Sequence, residues 1–240
     1  MKKVILLLVL SMLITSLPVS AQVINAGVGG NTTKDLLVRI DRDVIDLNPD
    51  LVIVMVGTND MLNSRKMVSY SDYTSNLELL VKKMLDADCK VILMSPPPVD
   101  SAYLFTRHER SLFTQAPNVK IDSVGMIAAT VAKLHNAFFF DLNAQFRDLN
   151  LPRHNEDLFI NNERNSGKTD GVHPTALGYQ FIAENAFLFL KENKLLKSEN
   201  RTVCVGDSIT MGSGVDGAGT TKGSTYPAEL SRLIHTYFSN

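Results

Sequence analysis

A serine, a histidine and an aspartate stand in this 240-residue chain where a nucleophile, its base and the base's anchor could be assembled. Ser208 follows the apolar run 203–205 through Gly206-Asp207, so it leaves a strand and projects from its end. A serine hydroxyl is a weak nucleophile until an imidazole takes its proton, and a carboxylate must hold that imidazole in the right tautomer. His173 precedes Pro174, which drives it out of helical geometry and onto a loop lip. Asp170, three residues earlier on the same loop, can turn back towards the ring nitrogen that faces away from Ser208. Acyl transfer at such a serine puts negative charge on the attacked carbonyl oxygen, and hydrogen-bond donors must already be waiting for it. The backbone amides of Ser208 and Gly30 and the side-chain amide of Asn59 are the candidates. Gly29 is read as only permitting the turn, and Asp207 as shaping the nucleophile turn without moving protons.

These groups need a scaffold that brings distant stretches to one rim. Apolar runs at 23–24, 51–56, 91–94, 138–140 and 203–205 predict five buried strands. Between them, Leu36, Leu37, Ile40, Val44 and Leu47 mark a helical stripe, and Leu77, Leu80, Val81, Met84 and Leu85 a second. Further stripes run over 124–134 and 179–190, with a short last one near 230–234. Strands alternating with helices predict a parallel sheet covered on both faces, whose function gathers beyond the carboxyl ends of the strands. The irregular stretch 96–117 is too long for a plain connection and is a candidate substrate-side loop, with Arg107 and His108 as possible contacts. Residues 212–223, with five glycines, read as a mobile surface loop, and 191–201 as a polar linker.

Composition narrows the classes. Lys plus Arg total 24 against 25 Asp plus Glu, and no basic cluster is present, which argues against a nucleic-acid partner. The two cysteines cannot make a disulfide scaffold, and no zinc-like spacing of Cys and His occurs. Both belong to strands flanking the 51–56 strand, too far apart to bridge, so both are expected as thiols. Ser166-Gly167-Lys168-Thr169 ends like a phosphate-binding loop, but Asn162 stands where that pattern needs glycine. Residues 1–21 have the form of an export leader: Lys2 and Lys3, an apolar run, then Val19-Ser20-Ala21. The expectation is an exported protein, periplasmic or extracellular, with no stable membrane insertion once the leader is removed. Residues 22–240 are expected to form one domain.

Gly206-Asp207-Ser208-Ile209-Thr210, the turn ending Gly30-Asn31-Thr32, Gly57-Thr58-Asn59-Asp60 and Asp170-x-x-His173 together resemble the four signature blocks of the SGNH/GDSL hydrolases. The resemblance implies a three-layer α/β/α flavodoxin-like fold with a central five-stranded parallel sheet. It implies Ser208, Asp170 and His173 as the triad, Ser208, Gly30 and Asn59 as the oxyanion hole, and no cofactor or metal. That family carries its serine block first, whereas here the order is Gly30, Asn59, Asp170/His173, Ser208, so the chain resembles a circularly permuted member. The arrangement could be a monomer or a domain-swapped dimer in which the serine strand enters a partner's sheet. The expected activity is hydrolysis of small acyl esters, acetyl above all, of carbohydrates or related polar substrates through an acyl-enzyme. The alternatives are a lipase or lysophospholipase, an acyl transferase, and a non-catalytic glycan-binding module.

Overall fold

A computed structural model describes residues 21–239. The leader expected over 1–21 lies, but for Ala21, outside them. Five strands, β1 (Gln22–Gly27), β2 (Leu51–Met55), β3 (Lys90–Met94), β4 (Phe138–Phe140) and β5 (Arg201–Gly206), form one parallel sheet in the order β1-β5-β2-β3-β4. Ten helices connect and cover them: α1 (Thr33–Asp43), α2 (Thr58–Leu62), α3 (Tyr70–Asp86), α4 (Ser101–Leu104), α5 (Pro117–Leu134), α6 (Leu142–Asp148), α7 (Glu163–Ser166), α8 (Ala176–Glu192), α9 (Ser208–Met211) and α10 (Tyr226–Ser239). All five expected strands are present, within a residue or two of their expected ends except at the end of β1, which runs three residues longer.

The two-residue period of the strands divides the core. Val52 and Val54 of β2, Val91 and Leu93 of β3 and Val203 and Val205 of β5 point to one face, against Leu36, Leu77 and Val124 of α1, α3 and α5. Leu51, Ile53, Met55, Ile92, Met94 and Cys204 point to the other, against Tyr179, Ile182, Leu190 and Leu230 of α8 and α10. An unbroken β2 sequence, Leu-Val-Ile-Val-Met, is what a strand buried on both faces requires. Cys204 and Cys89 are both free thiols, with β2 lying between β5 and the start of β3.

Helix starts are written locally. Thr32 caps α1 in a reciprocal box with Asp35, Ser69 caps α3, Pro117 opens α5, and Thr175, just past Pro174, caps α8. The expected linker is shorter than 191–201, because α8 continues through Glu192 and β5 begins at Arg201. Its Leu195 is buried in the second core. The glycine-rich stretch is a run of bonded turns rather than an open loop. Gly219 N–H donates to Met211 O, Thr220 N–H to Gly217 O and Ser224 N–H to Asp216 O. Asn25 of β1 ties it down by donating to Thr220 O at 3.0 Å.

Candidate active site

Every group picked from the sequence sits at the carboxyl end of the sheet. The chain leaves β5 at Gly206, where a Cβ would collide with the carbonyl of Met55 on the neighbouring strand. Glycine therefore lets the turn after β5 lie against β2. Asp207 caps α9, its Oδ1 accepting from Ile209 N–H at 2.9 Å, and Ser208 is the first helical residue. The serine is thus held by backbone geometry with its side chain free to face the cleft.

His173 and Asp170 come from the loop ahead of α8. Ser208 Oγ lies 2.9 Å from His173 Nε2, and His173 Nδ1 lies 2.8 Å from Asp170 Oδ2. A carboxylate only accepts, so Nδ1 carries the ring proton and Nε2 presents its lone pair to the hydroxyl. The loop is fixed by its own bonds. Val172 and His173 N–H both donate to Asp170 Oδ1 at 2.9 Å. Asn161 donates its side-chain amide to the carbonyls of His173 and Pro174, each at 2.9 Å. Asp100 N–H donates to Gly171 O at 2.7 Å, and Arg107 Nη2 to Asp170 O at 2.7 Å. Burial by itself would raise the Asp170 carboxyl. The hydrogen bond and charge of His173 and the two backbone N–H groups outweigh it and hold the carboxyl well below the ordinary carboxylate range.

Gly30 adopts φ of 74° in the turn after β1, a conformation that suits glycine, and faces the same cleft. Among the described residues nothing accepts from the N–H of Gly30 or of Ser208. Asn59, in the first turn of α2, also lines the cleft, but its amide is shared: Nδ2 donates to Asn31 O at 3.2 Å and to Asp207 Oδ2 at 3.3 Å. The cleft encloses about 330 Å³. Leu62, Leu104 and Val172 form its apolar wall, and Asn63, Arg107 and His108 its polar one. The stretch 96–117 therefore does reach the site, through α4 and the turns that follow it. A larger hollow of about 510 Å³, around Asp122, Asp141 and Arg147, contains none of the Ser208–His173–Asp170 constellation.

Of three groups beneath the cleft, the sequence marked Asp207 as shaping the turn and Asp60 only as the last member of its block, and gave no signal for Arg39. Asp60 is buried on Thr33, accepting from its N–H at 3.0 Å and its hydroxyl at 2.5 Å. Arg39 of α1 donates to Asn31 Oδ1 at 2.7 Å, Ala26 O at 2.9 Å and Gly206 O at 3.0 Å, tying the ends of β1 and β5 to the Gly30 turn. Asp207 is fully buried, and burial pushes its carboxyl up to about 6, against the Ile209 N–H bond and the His173 charge. The acidic member of the Gly57–Asp60 block and the spacing of Thr33 from it become meaningful only once the first residue of α1 meets Asp60 of α2. Among the described residues, no group of three or more His, Cys, Asp or Glu could hold a metal ion, and no helix is long and apolar enough to cross a membrane.

The chain is similar to several known proteins. The model of the GDSL-like Lipase/Acylhydrolase family matches residues 11–181. An acetylxylan esterase from Geobacillus stearothermophilus is 28% identical over 174 residues, covering 70% of each chain. An uncharacterized lipoprotein, YqeF, from Bacillus subtilis (strain 168) is 34% identical over 80 residues, 32% of this chain and 33% of that protein. A crystal structure of an acetylxylan esterase from Geobacillus stearothermophilus superposes with a TM-score of 0.52 at 25% identity, covering 68% of each chain.

Proposed function

The chain belongs to the GDSL-like lipase/acylhydrolase family and is a carboxylic ester hydrolase, and from that premise we propose that it is a serine esterase removing small acyl groups, chiefly acetyl, from carbohydrates or similar polar alcohols. The observation that carries this reading is the unbroken line Ser208 Oγ, His173 Nε2, His173 Nδ1, Asp170 Oδ2, with spacings of 2.9 and 2.8 Å. Ser208 Oγ attacks the ester carbonyl carbon while His173 takes the hydroxyl proton, and Asp170 steadies the resulting imidazolium. The oxyanion is received by the N–H groups of Ser208 and Gly30, which have no described partner, and by Asn59. Asn59 completes the set by turning one long hydrogen bond, at 3.2 or 3.3 Å, from protein to substrate. The tetrahedral adduct collapses by breaking the bond to the alcohol oxygen, which leaves with the proton from His173. Water then attacks the acyl carbon, again losing a proton to His173, and the acid leaves with Ser208 regenerated.

The acetyl preference is supported by the modest cleft and by the activity named for the Geobacillus relative. Export is supported by the leader-like residues 1–21 and by the lipoprotein relative. A permuted chain order is supported by two facts: the family match ends at residue 181, before Ser208, and β5 lies inside the sheet between the first two strands. We read residues 22–240 as one unit on the same grounds.

The test is a panel of acetylated sugars and a nitrophenyl ester series from acetate to palmitate, assayed with wild type and Ser208→Ala. Acetate should be the best ester, with kcat/KM falling at least about tenfold by octanoate, and Ser208→Ala should lose roughly 10⁴-fold or more. A maximum at long chains would make the enzyme a lipase or lysophospholipase. Undiminished cleavage by Ser208→Ala would move the site elsewhere.

A further inference from the structure

The proposed triad does not use the strongest charge in its own cleft. The lining contains one guanidinium, Arg107, two imidazoles, His108 and His173, and no carboxylate. Arg107 is exposed and follows α4 in the stretch 96–117. It spends one nitrogen on the protein: Nη2 donates to Asp170 O at 2.7 Å and stands 3.5 Å from Asp170 Oδ1. Among the described residues nothing accepts from its Nε or Nη1. The Asp170 carboxylate is itself committed to the His173 ring and to the N–H groups of Val172 and His173, so it offsets the guanidinium only in part.

The other charges near the rim add nothing to that partial compensation. Lys66, on the Gly30 side, is matched by Asp35 at 3.0 Å and donates to Gly30 O. Glu109, two residues beyond Arg107, has its carboxylate on the Ser111 hydroxyl at 2.7 Å and does not line the cleft. Lys168 approaches Gly214 O at 3.5 Å. The field at His108 reports the same balance: burial first, then the cations Arg107 and Arg65, disfavour its charged form. His108 Nδ1 instead lies 3.3 Å from the Ser64 hydroxyl.

We propose, resting on the esterase reading above, that the preferred substrate is an ester whose alcohol part carries a carboxylate, which the free N–H groups of the Arg107 guanidinium bind while Ser208 attacks the acyl group. Charge-assisted N–H bonds from a guanidinium to a carboxylate are strong, and the free Nε–H and Nη1–H groups hold fixed directions in one plane, which the rotating N–H groups of an ammonium do not. Ser208 and Arg107 line the same cleft of about 330 Å³, so both face one bound ester there. Acylated acidic sugars are the natural class with that outline. Arg107 is then a specificity-determining residue that also steadies the loop bearing Asp170.

The experiment compares two near-isosteric esters, para-carboxyphenyl acetate and para-carbamoylphenyl acetate, with wild type, Arg107→Gln and Arg107→Lys. The readout is the ratio of kcat/KM for the anionic to the neutral ester within one preparation, so any loss of folded or active enzyme cancels. Wild type should favour the anion about tenfold at low salt, chiefly through KM, and lose most of that preference by about 1 M salt. Arg107→Gln should bring the ratio to about one, and Arg107→Lys should fall between. A wild-type ratio of one or less at low salt overturns the proposal, as does a ratio that Arg107→Gln leaves unchanged. Failure of wild type to cleave either ester, or equal cleavage by Ser208→Ala, would instead overturn the esterase reading.

Discussion

The lip of the cleft and its floor each hold carboxylates, and the two places treat them in opposite ways. On the lip, Asp170 meets an imidazole N–H and two backbone N–H groups, and its charge is favoured despite burial. On the floor, Asp207 has one backbone N–H and a shared amide, and Asp60 has only Thr33 for company besides its own helix. There, burial dominates and raises both carboxyls. The charge of the imidazole partner and the shallower position, rather than the number of donors, separate a carboxylate fit to support an imidazolium from one that shapes a turn.

That contrast breaks most visibly in turnover. Asp170→Asn should cut kcat by roughly 10⁴-fold with little change in KM, because an amide at that position disfavours the tautomer that the base needs. Asp207→Asn keeps an acceptor for Ile209 and should cost less than about tenfold. Steady-state kinetics giving equal losses for the two variants would erase the distinction between lip and floor.

Stability against pH sharpens it next. Asp170 ionises more readily folded than unfolded, so its stabilising contribution is present above about pH 4 and disappears as pH falls through its folded value. Asp207 has the reverse sign. Its folded carboxyl, pushed up to about 6, holds a proton that the unfolded chain releases near 4, so it destabilises the fold as pH rises from about 4 to 6. Two pKa units correspond to roughly 3 kcal/mol, from which the lost bond to Asn59 subtracts about 1. Urea unfolding should therefore find Asp207→Asn more stable than wild type at pH 7 by about 2 kcal/mol, with that gain gone at pH 4. A gain independent of pH would show that the charge of Asp207 is not its cause.

The smallest effect concerns the other floor carboxylate. Thr33→Val removes the hydroxyl that donates to Asp60 but leaves the backbone N–H, and should cost about 1–2 kcal/mol in the same unfolding assay. A neutral result would mean that the backbone bond alone satisfies Asp60.

The lip was far more legible in the sequence than the floor. Asp170, His173 and Pro174 lie within five residues, so local chain geometry already brings the carboxylate to the ring and turns the pair outward. The strands were legible because a sheet buried on both faces writes itself as short apolar runs. Asp60 with Thr33, and Arg39 with Gly206, are pairs separated by 27 and 167 residues. Nothing local marks them, and only the packing of α1 against the strand ends makes a buried guanidinium useful there. The amide of Asn59 shows the same limit, since its residue type revealed the donor but not that Asp207 and Asn31 already share it. The glycine-rich stretch misleads for a related reason: composition reports conformational freedom, while the carbonyls it offers to Asn25 depend on β1 lying alongside.

The place of β5 has a further consequence, for the order in which this enzyme comes into being. As the chain is synthesised, β1 through β4 emerge before the strand that lies between β1 and β2, so until β5 arrives those two strands lack their shared neighbour. A ribosome that stops before Arg201 therefore releases a product that lacks the proposed nucleophile, Ser208, and one strand of the sheet. One and the same segment closes the sheet and carries the proposed nucleophile, so on that reading an unfinished molecule of this enzyme cannot be an active one.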